Sequence, residues 1–132
     1  HVDLNRHNRA HLLRAAQEGI AFAFRYGVDI MRESGLRAGG IRAGHANLFL
    51  SPLFRSTLAT LCDANIELYN TDGALGAARG AALGAGLYRN RNEAFASLCR
   101  IEEVHPDPAI RQVLEETYQI WKKELQLQLE NQ

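Results

Sequence analysis

From about Arg9 to Glu33 the apolar residues Leu13, Ala16, Ile20, Ala23, Phe24, Val28 and Met31 recur at helical intervals, with Arg14, Glu18, Arg25, Asp29 and Arg32 between them. This pattern predicts a long amphipathic helix that turns the apolar stripe inward. It is expected to end near Ser34-Gly35, where glycine can take the left-handed cap conformation. After Gly39-Gly40, the run Ile41-Arg42-Ala43 is too short for a helix and reads as a strand. Gly44-His45-Ala46-Asn47 follows as a loop. Ser51-Pro52 then marks a helix start, with serine as N-cap and proline in the first helical position. That helix is expected to turn Leu53, Phe54, Thr57, Leu58 and Leu61 inward and to close at Ala64-Asn65, and Ile66-Glu67-Leu68-Tyr69 alternates as a second strand.

Next comes Gly73-Ala74-Leu75-Gly76-Ala77-Ala78-Arg79-Gly80-Ala81-Ala82-Leu83-Gly84, capped by Thr71 or Asp72 and expected to stay helical to about Tyr88. Each interior glycine costs about 1 kcal/mol relative to alanine. Gly76, Gly80 and Gly84 share one face and form a smooth strip. The strip predicts that a neighbour packs very closely against it. On this reading Gly80→Leu should damage the fold, whereas Gly80→Ala should be mild or stabilising.

Arg89-Asn90-Arg91-Asn92 reads as a turn that caps a short helix from Glu93 to Leu98, and Arg100-Ile101-Glu102-Glu103-Val104 as a third strand. Asp107-Pro108 opens a final helix with Ile110, Val113, Leu114, Thr117, Ile120, Trp121 and Leu125 on one face, expected to fray over Gln126 to Gln132. The order strand, helix, strand, helix predicts a βαβ unit with parallel strands. Ligands in such sheets bind beyond the carboxyl ends of the strands, which here are Gly44 to Asn47 and Asn70 to Gly73. So small a sheet beside so many helical residues reads as part of a larger α/β domain.

Composition narrows the partners. The 132 residues carry 15 basic and 15 acidic side chains, so no net field recruits nucleic acid or a membrane surface. Cys62 and Cys99 lack any Cys-x-x-Cys spacing and read as free thiols of a reducing cytoplasm. The Gly-x-x-x-Gly spacing also occurs in membrane helices, but a span needs about 20 apolar residues and this segment carries Arg79 near its middle. The chain begins His1-Val2-Asp3-Leu4, without an initiator methionine or a signal-peptide core, and reads as a piece of something longer.

Few residues carry obvious chemistry. His7 and His11 are four apart but lack a His-Glu-x-x-His setting, and they read as part of a solvated helix start. His45 lies in the loop after the first strand, where it could face a ligand. Glu102-Glu103 and Glu115-Glu116 are adjacent, so each pair diverges. No catalytic set and no metal set is visible. What remains is the two strand-to-helix junctions, Gly44-His45-Ala46-Asn47 and Thr71-Asp72-Gly73-Ala74-Leu75-Gly76, where small residues allow a flat ring or a phosphate to approach the backbone. Neither matches Gly-x-Gly-x-x-Gly or a P-loop.

Four segments resemble, in order, the carboxyl-terminal portion of carbohydrate kinases of the FGGY family, most closely its xylulokinase branch. They are Arg14 to Phe24, with Glu18-Gly19-Ile20-Ala21-Phe22-Ala23 at its centre; Ile41 to Asn47 with Ser51 to Ala59; Gly73-Ala74-Leu75-Gly76-Ala77-Ala78; and Glu116 to Lys123 of the terminal helix, with Tyr118 and Trp121. Two departures stand out. Ala43-Gly44-His45 replaces the family's glycine triplet, and Leu48-Phe49-Leu50 looks like an insertion. The resemblance implies an α/β fold, part of an actin-like (ribonuclease H-like) ATPase domain, helix-rich with a small, mainly parallel sheet. Residues 1–132 would be the carboxyl-terminal, nucleotide-side part of the kinase's second domain. It implies phosphoryl transfer from Mg2+-ATP to a pentulose such as xylulose in the cytoplasm, with an amino-terminal domain as partner and with neither nucleic acid nor membrane involved. Gly44, Ala46 and Asn47 would line the adenine and ribose, bordered by Gly73 and Gly76. The family's catalytic aspartate has no counterpart here, so the chain alone is expected to be inactive. A different class of reading is a non-catalytic interaction module that docks a partner through the glycine-rich helix.

Overall fold

The computed structural model describes residues 2–3, 5–37 and 39–131. Helix α1 (Arg9–Glu33) starts at a capping box: the Asn8 side chain accepts from the amides of Ala10 and His11, and the His11 ring accepts from the Asn8 amide. It ends at Ser34, followed by Gly35 at φ +82°. Strand β1 (Ile41–Gly44) leads through a 3-10 turn (Asn47–Leu50) into α2 (Pro52–Cys62), whose N-cap Ser51 accepts from the Phe54 amide. Asp63 in the left-handed conformation closes α2, slightly before the expected Ala64-Asn65. Strand β2 (Ile66–Tyr69), helix α3 (Gly73–Gly84), the short α4 (Arg91–Ala94), strand β3 (Arg100–Val104) and α5 (Pro108–Glu130) complete the order. Helix α3 stops four residues before Tyr88, because Gly86 turns to φ +74°. The expected fraying of the last turns is not seen as far as Glu130, and Gln132 lies outside the described residues.

The sheet order is β1-β2-β3. Strands β1 and β2 run parallel, with Ile41 opposite Ile66 and Gly44 opposite Tyr69, as the βαβ pattern requires. Strand β3 joins β2 antiparallel, so the sheet is mixed, with one parallel pair and one antiparallel pair. The period of two in β2 sends Ile66 and Leu68 into the core and leaves Glu67 and Tyr69 on the opposite, polar face. There Glu67 accepts from Arg42 on β1, from Arg100 on β3 and from the Tyr69 hydroxyl.

The core lies between β2 and helices α1, α2 and α5, where Phe54, Leu58, Leu61, Ile66, Leu68, Leu114 and Tyr118 are buried. Helix α2 is buried nearly all round. Its polar members are largely paired: Arg55 donates one terminal nitrogen to Glu102 of β3 at 2.8 Å while its buried Nε has no partner among the described residues, and Thr60 Oγ1 donates to the Ser56 carbonyl and accepts from the Asp107 amide. The adjacent pair Glu102 and Glu103 does diverge, the second going to Arg100 and Asn65.

Two predicted stripes are corrected by the structure. In α1 the buried residues are Ala21 and Phe22, the latter against Tyr118 and Trp121, whereas Leu13, Ile20, Phe24 and Met31 are 40–53% exposed. Only the edge of that side is met by another element among the described residues: Phe24 lies edge-on to Phe54 of α2, and Val28 packs on the core. In α5 the inward residues are Ile110, Leu114, Tyr118 and Trp121, while Val113 and Ile120 point outward. The inward side of α1 instead carries Arg25 and Asp29. Their carboxylate and guanidinium pair at 2.7 Å, and the Tyr118 hydroxyl donates to Asp29 at 2.8 Å. Arg25 and Arg32 also donate to the carbonyls of Leu61 and Cys62, closing the carboxyl end of α2 with cations.

Among the described residues no helix is long and apolar enough to cross a membrane. Cys62 is buried and Cys99 exposed, both free, and burial pushes the Cys62 thiol up to about 11.

Candidate functional site

The two junctions singled out in the sequence meet at the carboxyl ends of the parallel strands. The His45 amide donates to the Tyr69 carbonyl at 2.9 Å, extending the β1–β2 ladder by one bond, and both chains then turn sharply. Ala46 donates back to the Gly44 carbonyl and Thr71 to the Tyr69 carbonyl, each at 2.8 Å. The two turns touch at Gly44. A β-carbon there would overlap the Thr71 carbonyl oxygen and lie 3.0 Å from its carbon and 3.3 Å from the Asp72 Cα. Only glycine fits so close an approach.

Close approach thus occurs at Gly44 and not along the glycine strip. Nothing among the described residues comes within 4 Å of a β-carbon placed at Gly76, Gly80 or Gly84. The expected tight neighbour of α3 is absent from this part of the molecule, and with it the steric reason for Gly80→Leu to do damage.

Gly44, Ala46, Asn47 and Gly73 line one hollow of about 270 Å³, together with Phe24, Leu48, Phe49, Phe54 and Asp72. Gly76 is not part of its lining, because it sits one turn further along α3. His45 is also turned away, exposed and held by its backbone. The aromatic wall was not anticipated as part of a site. Phe24 belongs to the α1 stripe and Phe49 to the inserted turn, and the two meet edge-on against Phe54 with ring centroids 6.2 and 5.5 Å away. Asn47 opens that turn in the left-handed conformation, φ +52°, which asparagine tolerates better than most residues. Sequence spacing gave no signal that Phe24, far upstream, would reach this hollow.

The helix starts beside the hollow are already capped. Asp72 accepts from the Leu75 amide at 2.7 Å, and Ser51 accepts from Phe54 while donating to Gln17 at 2.7 Å. A carboxylate seated on the start of α3 disfavours a second anion there. The surface thus suits the flat, uncharged end of a ligand better than a phosphate. Its volume lies just below the range of about 300–1,000 Å³ usual for small-molecule pockets, enough for part of a ligand. No group of three or more metal-ligating side chains occurs among the described residues, and His7 and His11 serve the α1 cap region through their ring nitrogens.

A parallel strand pair with a hollow beyond its carboxyl ends and helices starting at the rim is the arrangement of an α/β domain. Comparison makes the class specific. The L-xylulose/3-keto-L-gulonate kinase of Escherichia coli (strain K12) is 32% identical over 118 residues, covering 86% of this chain and 23% of that protein. The crystal structure of xylulose kinase from Rhodospirillum rubrum superposes with a TM-score of 0.71 at 27% identity, over 92% of this chain and 25% of that one. Both place the chain with carbohydrate kinases of the xylulokinase type, and its fold is part of an actin-like ATPase domain. The chain spans about a quarter of the length of these relatives. No protein-family model matches it.

Proposed function

We propose that this chain is the nucleotide-side, carboxyl-terminal segment of an ATP-dependent sugar kinase, its residues 1–132 forming part of the second actin-like domain of a cytoplasmic enzyme. The observation that carries the reading is the convergence of Gly44, Ala46, Asn47 and Gly73 on one hollow, in a chain similar to xylulose kinases over most of its length. The adenine ring enters against Phe24 and Phe49, with the glycine backbone beneath it and Asn47 at its edge. Asp72 keeps one carboxylate oxygen free of the cap and accepts from ribose hydroxyls. Gly76 borders the ligand at most indirectly. The phosphates run outward, away from the capped helix starts, toward residues outside this chain.

Phosphoryl transfer needs a positioned hydroxyl, an acceptor for its proton and metal-borne charge stabilisation. In the proposal Mg2+ and the base are held by those outside residues, and the acceptor is a ketose of the xylulose kind. A non-catalytic docking role for the open glycine face of α3 is the competing reading. It gives no reason for two strand-to-helix turns to touch at one edge of the sheet.

The test is coupled ADP release by the full-length protein with xylulose and related ketoses, beside the 132-residue chain alone. Sugar-dependent turnover is expected from the first and none from the second. Phe49→Ala should raise the KM for ATP while leaving the KM for sugar unchanged. Turnover by the chain alone, or a full-length protein indifferent to every ketose, would overturn the reading.

A further inference from the structure

Arg79 is a buried cation with no carboxylate paired to it among the described residues. It is 8% exposed, yet its guanidinium forms no ion pair among the described residues: one nitrogen donates to Thr71 Oγ1 and another to Ser97 Oγ, both at 3.2 Å. Burying a guanidinium between two neutral hydroxyls is unfavourable on its own, since charged groups leave water cheaply only when paired. A methionine or leucine would fill the same helical position at lower cost. Its location suggests what the arginine does instead.

Thr71 is the residue whose carbonyl abuts Gly44, and Ser97 belongs to the connection between α4 and β3. That connection is tied a second time to the same turn. Asn70 accepts from the Cys99 amide at 2.7 Å and donates to the Ser97 carbonyl at 3.1 Å, and its own amide donates to the Cys99 carbonyl at 3.0 Å. The β2–α3 turn is therefore clamped from behind by two side chains, Asn70 through backbone groups and Arg79 through hydroxyls. In front it presses on Gly44. Arg79 projects from the second turn of α3, so its fork fixes the helix start and the Thr71 carbonyl with respect to each other.

We propose that Arg79 is a positioning residue for the nucleotide hollow: through Thr71 it sets the gap between the β1 and β2 turns, and so the seat of the base and ribose. The proposal rests on the nucleotide reading of that hollow. Its structural half, the fixing of the Thr71 turn, stands or falls separately. Planarity matters as well as charge, because one ammonium nitrogen cannot reach two hydroxyls held by separate guanidinium nitrogens.

The experiment compares Arg79→Met, Arg79→Lys and Ser97→Ala in the full-length protein, reading amide exchange at Thr71 and Cys99 and the separate KM and kcat values for ATP. Ser97 is exposed and outside the hollow, so Ser97→Ala keeps the question open to measurement if Arg79→Met fails to fold. Expected are faster exchange at both amides in all three variants and a rise in the KM for ATP of about tenfold for Arg79→Met, the size of one lost charge-assisted hydrogen bond. Arg79→Lys should recover little of that rise, and kcat should change less than KM. Faster exchange with an unchanged KM would refute the nucleotide role while leaving the clamp. Unchanged exchange in folded Arg79→Met and in Ser97→Ala would overturn the clamp itself. A wild-type protein that binds no ATP would refute the reading of the hollow, and the exchange measurement would still decide whether Arg79 fixes the turn.

Discussion

Glycine has opposite meanings at two positions of this chain. At Gly44 the Thr71 carbonyl occupies the space a side chain would need. At Gly80 nothing among the described residues lies within 4 Å of a β-carbon placed there, so within this chain the residue only weakens its helix. Gly44→Ala should therefore destabilise the protein by about 1–3 kcal/mol, the usual cost of forcing extra volume into a packed contact, unless the turn moves away and opens the hollow. Gly80→Ala should raise stability by up to about 1 kcal/mol, and Gly80→Leu in the 132-residue chain should be nearly as well tolerated. Denaturant unfolding of the three variants checks the order. A neutral Gly44→Ala beside a damaging Gly80→Leu would restore the tight neighbour that spacing alone suggested. Sequence could show that Gly76, Gly80 and Gly84 form a smooth face, since periodicity fixes which residues share a face. It could not show whether anything occupies that face, which depends on elements remote in the chain.

At the scale of elements, the starts of the longer helices were the most legible part of the fold, and their carboxyl ends less so: α3 stops at Gly84 rather than near Tyr88. Asn8, Ser51, Asp72, Asn90 and Asp107 each cap the helix they precede; Ser51 and Asp107 were readable from local chemistry together with Pro52 and Pro108, Asp72 only as one of two candidates with Thr71, and Asn90 only as part of a turn placed before a helix from Glu93 rather than Arg91. The strands were legible for a similar reason, being short apolar runs between turn residues. Helix orientation was not. The apolar stripe of α1 suggested one inward face, but the helix turns Arg25 and Asp29 toward α2 and α5, because the bare carbonyls at the end of α2 and the Tyr118 hydroxyl need partners there. That network has a pH signature. Burial pushes the Asp29 carboxyl up, but hydrogen bonds from Arg25 and Tyr118 and the charges of Arg25 and Arg32 outweigh it, holding the group below its ordinary value of 3.8. A carboxyl depressed in the folded state contributes stability that is fully present above its unfolded value and is lost as the pH falls through the folded one. Asp29→Asn should thus lower stability at neutral pH by roughly 2 kcal/mol and flatten the decline below about pH 4. Thermal midpoints of both proteins from pH 7 to pH 2 check this. Parallel curves would mean that Asp29 does not titrate with folding.

At the scale of the whole molecule, apolar surface is left open in several places. The open face of α1 formed by Ala16, Ile20, Phe24, Val28 and Met31 is shallow and almost entirely apolar. Val113 and Ile120 on α5 are 64% and 66% exposed, and the glycine face of α3 is bare. Scattered exposed hydrophobics are ordinary, but a continuous apolar face along a 25-residue helix is not. The hollow at the two strand-to-helix turns shares Phe24 with that apolar face, so anything covering α1 would also border the hollow. The relatives extend well beyond the matched region, which gives such a cover a source. The isolated 132-residue chain should accordingly bind an apolar dye such as ANS while keeping its native circular dichroism, and it should sediment as associated species at micromolar concentration. Ile20→Lys and Met31→Lys together should reduce dye binding and association without lowering the unfolding midpoint, since neither side chain is buried. A monomeric, dye-silent chain would mean that the open α1 face closes on itself in solution, and the long apolar stripe would then have an internal partner after all.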